Sequence, residues 1–394
     1  MKKRMVEIFT NLLFGICRLF PLKDKVVATC FRGRKYGDNP QFIYEYLYGH
    51  NDSIEFVWLK SPLYDYDLPS WIRSVPYRYS SIRLIYELST AKVWINTHRF
   101  ETLWKKRKGQ LVIETWHGGL GLKKIEGDVD RVRNTAWEMA EIKHTCELAD
   151  VFISQSDHLS SIYRRAFGYK GIIFKCGYPK NDQMFANVMG AKSIVKKKLT
   201  IMNDKHILLY APTMREGDQG ADIPNLAPYS IDWDSIYKIL KEKFGGDWVI
   251  CVKWHPVLIN KMPKDFIKNS NVLDVSKYQD MQELIKASDI MISDYSSCIF
   301  DAALLEIPCF TYATDFEEYK ADRGVYYEME ELPFPYSKNN EELQYNILNY
   351  DYEQYLKRWS AFKNRTGLYE SGHASKDIAE KIMDFIKTGK VEWK

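Results

Sequence analysis

The chain has 394 residues, 45% apolar and 27% charged, the proportions of an ordinary globular protein with room for two separately cored domains. Its formal net charge of +4 lies wholly within residues 1–25, where Lys2, Lys3, Arg4, Arg18, Lys23 and Lys25 outnumber Glu7 and Asp24. The balanced remainder excludes a basic, polyanion-binding body, so nucleic acid is not the expected partner.

Along residues 5–20 the apolar set Met5, Ile8, Phe9, Leu12, Leu13, Ile16, Leu19 and Phe20 recurs at three- and four-residue spacing. The run is too short and too charged to span a bilayer, and it lacks a signal-peptide cleavage site. It reads either as an interfacial helix with basic headgroup contacts or as a first helix packed on the N-terminal domain. Strands are predicted at residues 26–31, 54–59, 93–96, 111–115, 151–154 and 172–175, with helices at 40–48, 82–89, 134–146 and 158–166 among them. After a lysine-rich stretch at 183–200 the alternation resumes, with strands at 207–211, 248–252, 272–274, 290–293 and 309–312. Helices at 235–244 and 281–287 lie between these strands, and 341–366 and 375–387 close the chain. Alternation of this kind predicts parallel sheet covered on both faces, here as two doubly wound halves facing each other across a cleft. The expected division is a membrane-surface helix at 1–24, an N-terminal domain at 25–185 and a C-terminal domain at 186–394 that includes the last helices.

The polar segments that could carry chemistry follow predicted strands, where open α/β sheets place ligands. Trp116-His117-Gly118-Gly119 combines an imidazole able to accept a proton near neutral pH with glycines that let a ligand approach the backbone. Pro212-Thr213-Met214-Arg215 offers a guanidinium for phosphate, or a local ion pair with Glu216. Lys253 and His255 alternate onto one side of their strand end as a cationic pair. Asp294-Tyr295-Ser296-Ser297 opens a helix, with Asp301 one turn further; the hydroxyls either meet an anion or merely cap the helix. Lys180, in Tyr178-Pro179-Lys180-Asn181-Asp182, is a candidate cleft lysine or a solvated turn residue. No His/Asp/Glu group has metal-ligand spacing, and the seven scattered cysteines read as reduced core residues of a cytoplasmic protein.

With WHG, APT-x-R, a strand-ending K-x-HP and SDYSS-x-x-FD in this order, the chain resembles the CDP-glycerol glycerophosphotransferases of teichoic-acid and capsule synthesis. The likeness runs from Phe31-Arg32-Gly33 and Asp38-Asn39-Pro40 through Leu122-Lys123-Lys124-Ile125 to Arg323-Gly324. It implies a GT-B-like pair of Rossmann-type domains at the cytoplasmic membrane face, with the donor mainly on the C-terminal one. The implied reaction moves an alditol phosphate, glycerol phosphate first, from a CDP-alditol to a hydroxyl of a lipid-linked or polysaccharide acceptor and releases CMP. No cofactor is implied, the CDP-alditol being a substrate. By the same resemblance His117 is the catalytic base and His255 stabilises the donor diphosphate, while Trp116, Gly118, Gly119, Lys180, Pro212, Thr213, Arg215, Lys253, Ser296, Ser297 and Asp301 bind substrate. The family usually has Thr-Pro where Gly119-Leu120 stand, Trp at Met214, and often Arg at Lys180 and Lys253. A point charge in place of a planar fork loosens geometric selection of phosphate. The alternatives are a GT-B glycosyltransferase using a sugar nucleotide and a non-catalytic surface module.

Overall fold

The computed structural model describes residues 2–78, 81–186, 188–263, 265–267 and 269–393. The chain divides into two compact units: Met1–Gly118 with Ile125–Asp182 and Leu368–Lys394, and Gly119–Lys124 with Gln183–Gly367. The last helix, Ala374–Thr388, therefore belongs to the first unit, not to the second as the expected boundary at 186 had it. Its buried stripe of Ile378, Ala379, Ile382 and Phe385 explains why: it packs on the first unit's helix Asp38–His50.

The first unit holds seven parallel strands: β1 (Lys23–Ala28), β2 (Glu55–Lys60), β3 (Arg73–Pro76), β4 (Ala91–Asn96), β5 (Leu111–Glu114), β6 (Val151–Ser154) and β7 (Ile172–Lys175). Their order is β3-β2-β1-β4-β5-β6-β7, so the winding reverses between β1 and β4. The central strands β5 and β6 are buried along their length and β4 everywhere but at Lys92, as a sheet covered on both faces requires. At the foot of β1 the fully buried Lys25 ammonium meets Glu87 at 2.6 Å and Thr90 at 2.5 Å, and Arg73 also pairs with Glu87.

The second unit repeats the scheme with β8 (Lys205–Ala211), β9 (Asp247–Val252), β10 (Val272–Asp274), β11 (Ile290–Ser293), β12 (Cys309–Tyr312) and β13 (Tyr336–Ser337). Their order is β10-β9-β8-β11-β12-β13, all parallel, which puts the reversal between β8 and β11. Ligands of such sheets sit at that switch point, beyond the strands' carboxyl ends.

The helix Lys2–Cys17 has two faces. Thr10, Leu13, Phe14 and Cys17 are buried, and the helix packs on Ile82–Thr90. Met5, Ile8, Phe9, Leu12 and Ile16, with Leu19 and Phe20 beyond the helix, are exposed. Among the described residues no helix is long and apolar enough to cross a membrane.

Candidate active site

His117 follows β5 in the first unit. Its Nδ1 lies 2.8 Å from the Thr97 carbonyl beyond β4. A carbonyl can only accept, so this contact places a proton on Nδ1, and in the neutral ring the lone pair is then on Nε2. The ring lies between Trp116, stacked at 4.5 Å, and Phe31 at 4.7 Å, with His98 parallel to it at 6.1 Å. Burial together with the neighbouring His117, Arg32, Arg99 and Arg34 drives the pKa of His98 well below the usual histidine value, so His98 is neutral. Phe31 reaches His117 from a turn in which Phe31, Arg32 and Gly33 all have positive φ. A Cβ at Gly33 would stand 2.5 Å from the Ser61 nitrogen, so only glycine closes that turn.

Trp116 itself sits at φ 51, a conformation that typically costs an indole-bearing residue about 1–3 kcal/mol. Two neighbours hold it there. Its N–H donates to Glu114 at 2.9 Å, and its carbonyl accepts from Asn39 at 3.1 Å. Asn39 also accepts the Lys180 N–H at 3.2 Å, joining the WHG loop to the Lys180 corner. Tyr178 adds a hydroxyl bond to the Gly118 carbonyl at 3.1 Å. Lys180 is only 6% exposed, which rules out the solvated-turn reading; its ammonium donates to Asn181 at 3.1 Å. Trp116, His117, Gly118 and Lys180 thus form one cluster in the first unit. Asn39 is the member that sequence reasoning missed as a site residue, although it stands in the Asp38-Asn39-Pro40 run.

The remaining candidates lie in the second unit. Gly119 belongs to its 119–124 segment, and the others follow β8, β9 and β11. Asp294, 1% exposed, organises the switch point: it accepts the Thr213 N–H at 2.8 Å, its own neighbour Tyr295 N–H at 2.6 Å and the Arg215 guanidinium at 2.7 Å. The Thr213 hydroxyl, beside buried Pro212, is itself buried with no partner among the described residues. Arg215, expected to grip phosphate or to pair locally with Glu216, donates from one edge to Asp294. Its other edge pairs with Asp315 at 2.6 and 2.9 Å, and its plane lies over Tyr229, Tyr295 and Tyr319. Those aspartates hold the guanidinium firmly charged despite its burial. Arg215 is a brace, and its acidic partners are 79 and 100 residues away, not the adjacent Glu216.

After β9, the Lys253 ammonium donates to the carbonyls of Ser276 and Tyr278, tying down the loop after β10. His255 is half-buried, and its Nδ1 accepts the Val257 N–H at 3.3 Å. That contact places the proton on Nε2, where no partner is found among the described residues. Burial, then Lys123, lowers its pKa to about 4 against an attraction from Asp294. The two histidines therefore use Nδ1 in opposite senses, as a donor in His117 and as an acceptor in His255.

Ser297 precedes the helix Cys298–Ala303 but makes no side-chain cap, so the capping explanation fails for it. The Ser296 hydroxyl accepts from Cys298 at 3.1 Å, and Asp301, 4% exposed, is steered by Gln282 at 3.2 Å. Among the described residues no group of three or more His, Cys, Asp or Glu is arranged to hold a metal.

Two Rossmann-type units, each with polar side chains gathered beyond its strand ends, define a GT-B-like protein. The solved structure of the wall teichoic acid polymerase TagF soaked with CDPG matches 98% of this chain and 94% of its own, at TM-score 0.85 and 28% identity. Residues 13–384 match the model of the CDP-glycerol:poly(glycerophosphate) glycerophosphotransferases, and the chain belongs to that family. It is 31% identical, over 94% of its length, to the teichoic acid poly(glycerol phosphate) polymerase of Staphylococcus epidermidis, but spans only 53% of that protein. It is 29% identical to the teichoic acid glycerol-phosphate transferase of Staphylococcus aureus, covering 96% of this chain and 98% of the relative.

Proposed function

We propose that the protein transfers an alditol phosphate, glycerol phosphate first, from a CDP-alditol to a hydroxyl of a lipid-linked or polysaccharide acceptor in teichoic-acid or capsule synthesis. The observation that carries this reading is the opposite role of Nδ1 in His117, where it donates, and in His255, where it accepts. Nε2 of His117 takes the acceptor's proton as its oxygen attacks the distal phosphorus of the donor. The bond from that phosphorus to the bridging oxygen breaks, and CMP leaves with the electron pair. Charge accumulating on the phosphoryl and bridging oxygens is met by the Nε2–H of His255, with Thr213, Ser297 and Lys253 as further donors. Trp116, Gly118, Gly119 and Lys180 shape the surroundings of the base, Pro212 and Ser296 line the donor side, and Asp301 accepts from a ligand hydroxyl. The assay presents CDP-glycerol, CDP-ribitol and several sugar nucleotides with a lipid-linked acceptor. Release of CMP from a CDP-alditol is expected; release of nucleotide from a sugar donor alone would replace the reading with glycosyl transfer.

The exposed apolar face of the first helix supports peripheral attachment to the cytoplasmic membrane face, with its basic residues at lipid headgroups. Replacing Ile8, Leu12 and Ile16 by glutamate should abolish sedimentation with anionic vesicles while leaving the protein folded. Unchanged sedimentation of a folded variant would refute the attachment.

A further inference from the structure

The segment Gly119–Lys124 begins two residues after His117 and is part of the second unit. It runs antiparallel to the stretch after the helix Phe316–Arg323: Lys123 bridges Val325, Lys124 N–H donates to Gly324 at 3.0 Å, and Tyr326 N–H donates to Leu122 at 2.8 Å. Gly324 has φ +74, a backbone conformation that suits glycine at this turn. The pairing brings Lys123 within Coulomb range of Arg323, of Asp294 and Cys298 at the β11 corner, and of Arg215 and His255.

Lys123 and Arg323 are both half-buried, and neither has a hydrogen bond or ion pair among the described residues. The nearby carboxylates are already engaged. Asp294 is shared among Arg215, Thr213 and Tyr295, and Asp315 between Arg215 and Tyr295. Two neighbouring cations without a counter-ion, partly out of water, are unfavourable unless a multiply charged anion completes the site. Burial, with Arg323 as the next cause, lowers the Lys123 pKa to about 8.

We propose that Lys123 and Arg323 form an anion clamp for the donor's diphosphate, a pair of ligands additional to the serine, threonine and histidine donors above. This deepens the proposed function and rests on it. Lys123 supplies a point charge and Arg323 a planar fork, a combination suited to two linked phosphates. The segment that follows the catalytic base then also carries a donor ligand.

Calorimetric titration of the full-length protein with CDP, CMP and a short glycerol-phosphate oligomer tests the clamp. Lys123→Gln and Arg323→Gln should each weaken CDP binding about 10-fold or more, the usual worth of a charge-assisted hydrogen bond. Lys123→Arg should retain most of the affinity, and Lys123→Met is the substitute should Lys123→Gln fail to fold. CDP binding to the unaltered protein near pH 8 should also take up roughly half a proton, a signal lost in Lys123→Gln. CDP affinity within twofold of the unaltered protein in both folded Gln variants overturns the inference while leaving the proposed function standing. Loss confined to the oligomer overturns it too, and assigns the cations to the acceptor's phosphodiesters. Failure of the unaltered protein to bind any cytidine nucleotide overturns both readings.

Discussion

Lowering the pH tests the state assigned to His255. The buried ring resists protonation down to about pH 4, whereas in the unfolded chain it takes up a proton near 6.5. The unfolded state therefore binds more protons between these values, and stability falls as pH drops from 6.5 toward 4. From pH 7.5 to 5, the linkage amounts to at most roughly 2 kcal/mol for this one group. Protonation would also place a second N–H against the Val257 N–H, so its cost is built into the geometry. His255→Asn should remove that share of the acid sensitivity, measured as the difference between the two proteins' denaturation midpoints at pH 7.5 and pH 5. Histidine-selective NMR supplies the direct readout: the His255 resonance, assigned by its loss in the variant, should keep its Nε2–H signature at pH 5. A His255 midpoint above pH 6, or identical acid sensitivity of the two proteins, would refute the reasoning.

His117→Ala should lower kcat by about 10²–10⁴-fold while leaving CDP binding within a few-fold, and an undiminished kcat would remove it from the role of base. Arg215→Ala leaves Asp294 and Asp315 buried without their shared cation and should cost about 3–5 kcal/mol by chemical denaturation. Arg215→Lys should recover little of that loss, because one ammonium cannot bridge both carboxylates in the same plane. Lys25→Met should destabilise the first unit by about 3 kcal/mol, read from its thermal transition, with Arg73 limiting the loss at Glu87.

The strands that were readable in the sequence are short apolar runs bounded by polar or turn residues. β6, β7, β10, β11 and β12 stand where their residues indicate, to the residue. β3 was not anticipated because Arg73-Ser74-Val75-Pro76 offers one apolar position and ends in proline, and β13 has only two residues. The helix expected over 341–366 is two helices, Asn340–Leu348 and Tyr352–Thr366, and Asp351 starts the second by capping the Gln354 N–H. That cap is visible in principle in Asp351-Tyr352-Glu353-Gln354. The partners of Arg215 were hidden for another reason: Glu216 is its neighbour in sequence, whereas the fold supplies Asp294 and Asp315 from two later loops. The histidine tautomers were equally out of reach, since each depends on one backbone group, the Thr97 carbonyl or the Val257 N–H, that no side-chain pattern encodes.

The placement of the helix Ala374–Thr388 bears on how the molecule can be dissected. Splitting the gene near codon 183 would release an amino-terminal piece deprived of its own closing helix, and a carboxyl-terminal piece burdened with an orphaned one. The latter would also lack the short β-partner at 119–124. To express either lobe alone, the last 27 residues should be grafted back behind Asp182, and the second lobe should be bounded at Gly367.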